Sequence, residues 1–239
     1  MTENININVS QIDKINKITS EEKKFRIKNL ELFEATGFPN KRYEDWKFSD
    51  FKNIVNTNFK NLDTSIVSSA DKKIDLIKDF EHNYIFLING NFHSSNFSYE
   101  EKEKIKVTSS DKNFDYKISD NPMVCLNHAL AESGYYLEIE KNYKFKKILV
   151  IYNLFTKSLE NKILNSKNKI KLNENSELHI MDYTINESKF VNNIYEELIL
   201  ENNSKFKSIY MQKNKSNGFF HKFLKNKLSL NSNYSNLIF

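Results

Sequence analysis

The hydrophobic pattern divides the chain near residue 135, with helical spacing before it and strand spacing after it. Thr19 and Glu22 form a capping box: the hydroxyl accepts from the Glu22 amide and the carboxylate reaches back. Phe25, Ile27, Leu30, Leu32 and Phe33 follow as a broad helical stripe. Gly37 and Pro39 end it, the first as a left-handed cap and the second because it lacks an amide. A helix over 19–36 is predicted, preceded by residues 1–18 as a loose arm or short helix. The stretch 37–52 sets Trp46 among Tyr43, Phe48 and Phe51 on a short helical turn. Its indole N–H needs an acceptor, for which Asp50 or a backbone carbonyl is suited. A further helix is expected near 70–80. The apolar run 84–88, then Asn89-Gly90 and Phe92, predicts a hairpin. Residues 98–120 read as a loop. Asn121-Pro122 opens a helix through Met123, Leu126, Ala129 and Leu130 that Gly134 is expected to cap.

Beyond residue 135 short β-rich runs recur over 135–139, 147–155, 169–172, 178–183, 198–200, 206–211, 219–224, 228–230 and 237–239. Leu172, Leu200 and Leu230 each lead into a similar Asn-rich stretch, spaced 28 and then 30 residues apart. A period of that size points to stacked coils. Asn175, Asn203 and Asn233 take equivalent places and read as corner residues, because Asn tolerates the left-handed region and glycine is scarce. The fold class expected is α+β. Residues 1–134 form a mainly helical region with a small hairpin, and residues 135–239 form the first rungs of a parallel β-helix. The apolar run into Phe239 lacks a polar cap, so its stacking face calls for further chain or a partner.

Composition narrows the function classes. Thirty-six Lys and Arg against 31 Asp and Glu leave a net charge of +5, and only Arg26 and Arg42 are arginines. Nucleic-acid binders cluster basic residues and favour Arg, so no nucleic-acid partner is expected. The chain has no apolar run long enough to span a bilayer and no secretory leader pattern, so a cytoplasmic protein without membrane association is expected. The single Cys125 excludes an internal disulfide. His82, His93, His128, His179 and His221 show no zinc-binding spacing. Cys125 and His128 share a helix face, but two ligands do not close a metal site, and a buried thiol beside a half-exposed histidine is expected. His221 reads as an exposed strand position or an intersubunit contact. Four glycines offer no phosphate-cradling loop. No catalytic, cofactor-binding or metal-ligating residue is assigned.

Several segments, taken in order, carry a resemblance. They are Leu30 to Pro39 leading into Arg42-Tyr-Glu-Asp-Trp46-Lys-Phe-Ser, then Tyr84 to Phe92 around Asn89-Gly90, then Leu126-Asn-His-Ala-Leu-Ala-Glu-Ser-Gly134. Together with the β-rich half they resemble the SufB/SufD family of the SUF iron–sulfur cluster assembly machinery, on its SufD side. Trp46, Gly90 and Gly134 match as structural positions. The resemblance implies a non-enzymatic scaffold that pairs with a SufB-like subunit through the β-helix and binds a SufC-like ATPase through a C-terminal helical region. An iron–sulfur cluster and a reduced flavin are implied only for the whole complex. Family members are nearly twice this length, and the SufC-binding region has no counterpart here, so weak or absent SufC binding is expected. The alternatives are a β-helix enzyme of acyltransferase or lyase type, or an unrelated β-solenoid interaction module. The first would show six-residue periodicity or a leader with clustered charges, and the second would not need the Trp46 segment.

Overall fold

The computed structural model describes residues 5–7, 9–15, 18–64, 74–109, 117–214 and 218–238. Helix α1 spans Val9–Asp13 and α2 spans Ser20–Thr36. Thr19 caps α2 as expected, accepting from the Glu22 amide at 3.1 Å, and Gly37 closes it at φ 68°. Helix α3, Phe51–Asn58, begins at Asp50, whose carboxylate accepts from the Asn53 amide at 3.0 Å. Asp50 is thus a helix cap rather than the partner of Trp46. Helix α4, Pro122–Leu130, is capped by Asn121, which accepts from the amides of Met123 and Val124. It stops at Leu130, so Gly134 is not its cap. At Gly134, φ 135°, an added Cβ would lie 1.8 Å from the Lys167 carbonyl oxygen, and the chain crosses that strand too closely for a side chain. Buried Arg26 on α2 donates to the carbonyls of Ala129 and Ala131 at 3.0 Å each, tying α2 to the C-terminal end of α4.

Strands β1, Ile5–Asn6, and β2, Leu62–Asp63, form a small parallel pair. The predicted hairpin is β3, Asn83–Ile88, and β4, Asn91–Asn96, joined by Asn89 at φ 49° and Gly90 at φ 77°. Positive φ at both turn positions matches the right-handed twist of the strands. Residues 74–82 have no regular structure, against the helix expected near 70–80, and the rest of that expectation lies outside the described residues. The stretch read as a loop from 98 holds β5, Ile105–Thr108, preceded by a short helical turn.

The remaining strands are β6 Tyr136–Ile139, β7 Leu149–Phe155, β8 Ile163–Leu172, β9 Glu177–Asn186, β10 Val191–Leu200, β11 Lys205–Asn214, β12 Phe219–Leu228 and β13 Asn233–Ile238. They wind into a parallel β-solenoid of two facing sheets, one ordered β5-β6-β8-β10-β12 and the other β4-β3-β7-β9-β11-β13. The hairpin set among the N-terminal elements is continuous with these sheets, since β3 pairs parallel with β7. Leu172 aligns with Leu200 and Leu200 with Leu228. The last repeat is therefore 28 residues like the one before it, and the 30-residue spacing through Leu230 is corrected. Residues 229–232 form a corner rather than continuing a strand.

The corner residues are consequently Asn142, Asn175, Asn203 and Asn231, with φ between 54° and 64°, and Asn233 instead starts β13. Their amides form a ladder. Asn175 Nδ2 donates to Asn142 Oδ1 at 2.8 Å, Asn203 Nδ2 to Asn175 Oδ1 at 3.1 Å and Asn231 Nδ2 to Asn203 Oδ1 at 3.4 Å. The following serine in three corners donates to the carbonyl three residues back, at 2.6 to 2.7 Å. Replacing Asn203 with alanine puts a Cβ into the left-handed region without an amide and removes two ladder bonds, for a cost of about 2 kcal/mol. Asn203→Gly is expected to cost less than Asn203→Ala, because only the ladder is lost. Urea unfolding of both variants checks the order.

Candidate functional site: the polar lumen and its outer brace

Alternation along β8 to β12 sends even-numbered side chains into the lumen and odd-numbered ones outward. Towards one corner the lumen is apolar, filled by Leu137, Ile151, Ile170, Leu172, Leu178, Ile180, Leu198 and Leu200. Towards the other, the same strands supply Asn168, Asp182, Thr184, Asn192, Glu196, Tyr210 and Lys222 around a small cavity of about 20 Å3. Lys222 lies one coil beyond Ile194, and its Nζ reaches Glu196 Oε1 at 2.7 Å. Asp182 faces them from the opposite sheet, with Asn153 Nδ2 donating to it at 3.5 Å.

Burial sets the charges here. It pushes the Asp182 carboxyl up to about 6, with Lys222 opposing and Glu196 adding to the rise. It works against the Lys222 ammonium, but Glu196 and then Asp182 outweigh it and hold that group above its ordinary range. Burial, and then Asp182, push the Tyr210 hydroxyl up to about 12. Burial, and then Glu196 and Asp182, also raise the Tyr135 hydroxyl well above its ordinary range.

The outer face of the same sheet carries a brace. Asn165, Asn193 and His221 align across β8, β10 and β12. Asn193 Nδ2 donates to Asn165 Oδ1 and to the Met123 carbonyl, each at 2.8 Å. That orients Asn193 Oδ1 towards His221, whose Nδ1–H donates to it at 2.9 Å. Asn127 on α4 donates to the carbonyls of Ser166 and Asn193. The His221 ring stacks on Trp46, 5.2 Å between centroids, and Trp46 also meets Phe51 at 5.4 Å. Phe48, expected beside Trp46, is 91% exposed. The Trp46 segment is thus held on the solenoid by the third member of a 28-residue column. Burial pulls the His221 pKa down to about 4.

The other singled-out residues lie apart. Cys125 is buried, its Sγ donating to the Ser119 carbonyl, and burial pushes its thiol up to about 11, further from the thiolate. His128 is buried between Phe25 and Tyr195 rather than half-exposed. His82 donates from Nδ1 to the Phe80 carbonyl, which leaves Nε2 to accept from the Tyr152 hydroxyl at 2.8 Å. His93 is exposed beside Ser94, and His179 is half-buried beside Glu177. Gly90 and Gly134 serve the turn and the close crossing already described. Among the described residues no group of three or more His, Cys, Asp or Glu side chains is placed to hold a metal ion, and no helix is long and apolar enough to cross a membrane. Asp182, Asn192, Asn193, Glu196 and Lys222 were not singled out from sequence. A strict 28-residue alignment would have put Asn165, Asn193 and His221 in one column. The chain matches no protein-family model, and no curated protein matches its sequence.

Two outcomes follow from these charges. His221 is neutral in the fold well below the usual histidine pKa of about 6.5. Its contribution to stability is therefore full above that value and is lost as pH falls towards about 4. Asp182 acts oppositely over nearly the same window, so the wild type is compared with His221→Gln, which keeps a donor for Asn193 and does not titrate. The difference in unfolding free energy between the two is expected to shrink as pH falls through this range. In the lumen, Lys222→Met leaves Glu196 unpaired. The expected cost is about 1–2 kcal/mol, below that of a fully buried pair because 33% of the Lys222 side chain is exposed. Adding Glu196→Leu restores most of it, as chemical denaturation of the double variant checks.

Proposed function

We propose that the chain is a scaffold subunit of a SUF-type iron–sulfur cluster assembly complex, acting by association and without turnover of its own. What supports the reading is the ordered set of family-like segments together with how they pack. The most specific segment, around Trp46, is braced through His221 onto a parallel solenoid of the kind the resemblance implies. A solenoid interaction module of other ancestry has no stated need for that brace.

Association in this reading uses the edge of the last described coil. Strands β12 and β13 border the two sheets, and each is paired on one side among the described strands. Leu228, Leu230, Leu237 and Ile238 are exposed there, at 52%, 72%, 54% and 73%. An edge strand offers unpaired backbone groups to an added strand, and apolar side chains beside it favour burial by a partner. The partner is a SufB-like subunit, and a SufC-like ATPase is expected to bind weakly or not at all.

Co-expression with SufB-like and SufC-like subunits tests this. The full chain is expected to co-elute with the SufB-like subunit, and Ile238→Lys, at an exposed position that leaves the core intact, to cut recovery about tenfold. Elution of the wild-type chain without the SufB-like subunit would overturn the reading, and tight SufC binding would overturn the assignment of its partner.

A further inference from the structure

The cavity in the polar half of the lumen has room for one water-sized occupant, at about 20 Å3. The charges facing it do not balance. Asp182 on β9 and Glu196 on β10 bring two carboxylates, and Lys222 on β12 brings the one cation among the described residues. Tyr210 on β11 and Tyr135 just before β6 bring hydroxyls, and β7 and β8 bring Asn153 and Asn168. The Lys222 ammonium is engaged by Glu196, and Asp182 makes no ion pair among the described residues. Asn192, 1% exposed, lines the same cavity, and its Oδ1 has no hydrogen-bond partner. A carboxylate that shares its one cation with Glu196 and an amide oxygen without a donor thus line one small space. Each is costly to bury in that state.

We propose that this cavity binds one monovalent alkali cation, Na+ or K+, between the carboxylate of Asp182 and the amide oxygen of Asn192. The site is built of oxygen donors, the ligands that hard cations take, and one added positive charge brings the cluster to neutrality. A divalent ion would overshoot that charge and lacks the further carboxylates it needs. A water molecule fits the volume but leaves the charge. The partial exposure of Lys222 marks a route in beside β12. Because burial holds the Asp182 carboxyl near 6, a proton competes with the cation below that pH. The inference does not depend on the SUF reading, since it concerns only the lumen of this chain.

Thermal unfolding of the full chain tests it, in sodium, potassium and N-methylglucamine chlorides at matched ionic strength and well above the Asp182 pKa. Sodium or potassium is expected to raise Tm by about 2–4 °C over the bulky organic cation, saturating with concentration. The effect is expected to vanish in Asp182→Asn, which is isosteric, and to weaken in Asn192→Ala. Broadening of the sodium-23 resonance by the wild type, relieved in Asp182→Asn, gives a readout that does not depend on stability. Equal Tm in all three chlorides, or an alkali effect of the same size in Asp182→Asn, would overturn the site.

Discussion

The structure depends on one geometric requirement: each coil must return the chain to its starting point so that equivalent positions hydrogen-bond coil to coil, after 33 residues from β6 to β8, 31 from β7 to β9 and 28 in every later step. The parallel register of β8, β10 and β12 holds without a slip over ten residues, and that of β9 and β11 does the same. A slip of one residue would turn every lumen side chain outward. The corners prevent it. An asparagine in the left-handed region turns the chain at one fixed place, and the amide of each corner is bonded to the corner before it. Turn and ladder are properties of one side chain, so the corner sets both the direction of the chain and its height on the stack.

This register makes the lumen asymmetric. Stacking brings like beside like, so a leucine column forms a close-packed wall, as at Leu172 and Leu200, which are fully buried, with Leu228 continuing the column at the last described coil. Stacked charges would repel in the same way, and the polar half avoids this by changing type between coils. Asn168, Glu196 and Leu224 occupy one column, and Ser166, Ile194 and Lys222 the next. Glu196 therefore finds its lysine diagonally rather than directly above. On the outer face the column Lys169, Glu197, Lys225 alternates in sign, so one carboxylate serves two ammonium groups.

Elements whose signals are local were legible in the chain. The Thr19 cap, the Asn89-Gly90 turn and the Asn121-Pro122 start each rest on a few neighbouring residues, and each appears where expected. The strands were legible only where they are apolar. The runs 169–172 and 198–200 are the ends of ten-residue strands whose first parts, around Asn165 to Asn168 and Asn192 to Glu197, are buried and polar. No alternation of apolar with polar residues marks them, because one face is hydrogen-bonded to α4 and the other lines the polar half of the lumen, where Glu196 pairs with Lys222 of the next strand. The same fact concealed the charged cluster, whose members come from three coils and share no local motif. The thirty-residue spacing arose because Leu230 resembles the Leu172 and Leu200 positions, although Leu228 occupies their column.

The corner ladder also has a sense. Asn175, Asn203 and Asn231 each give an amide proton towards the N-terminal coils, so the accepting oxygens face the C-terminal end. Asn231 stands last among the described corners with its oxygen facing onward. Any layer that aligns its own corner there meets an acceptor and must bring a donor. The stack is in this respect a one-way track, and two such ends brought into corner-to-corner alignment would set oxygen against oxygen.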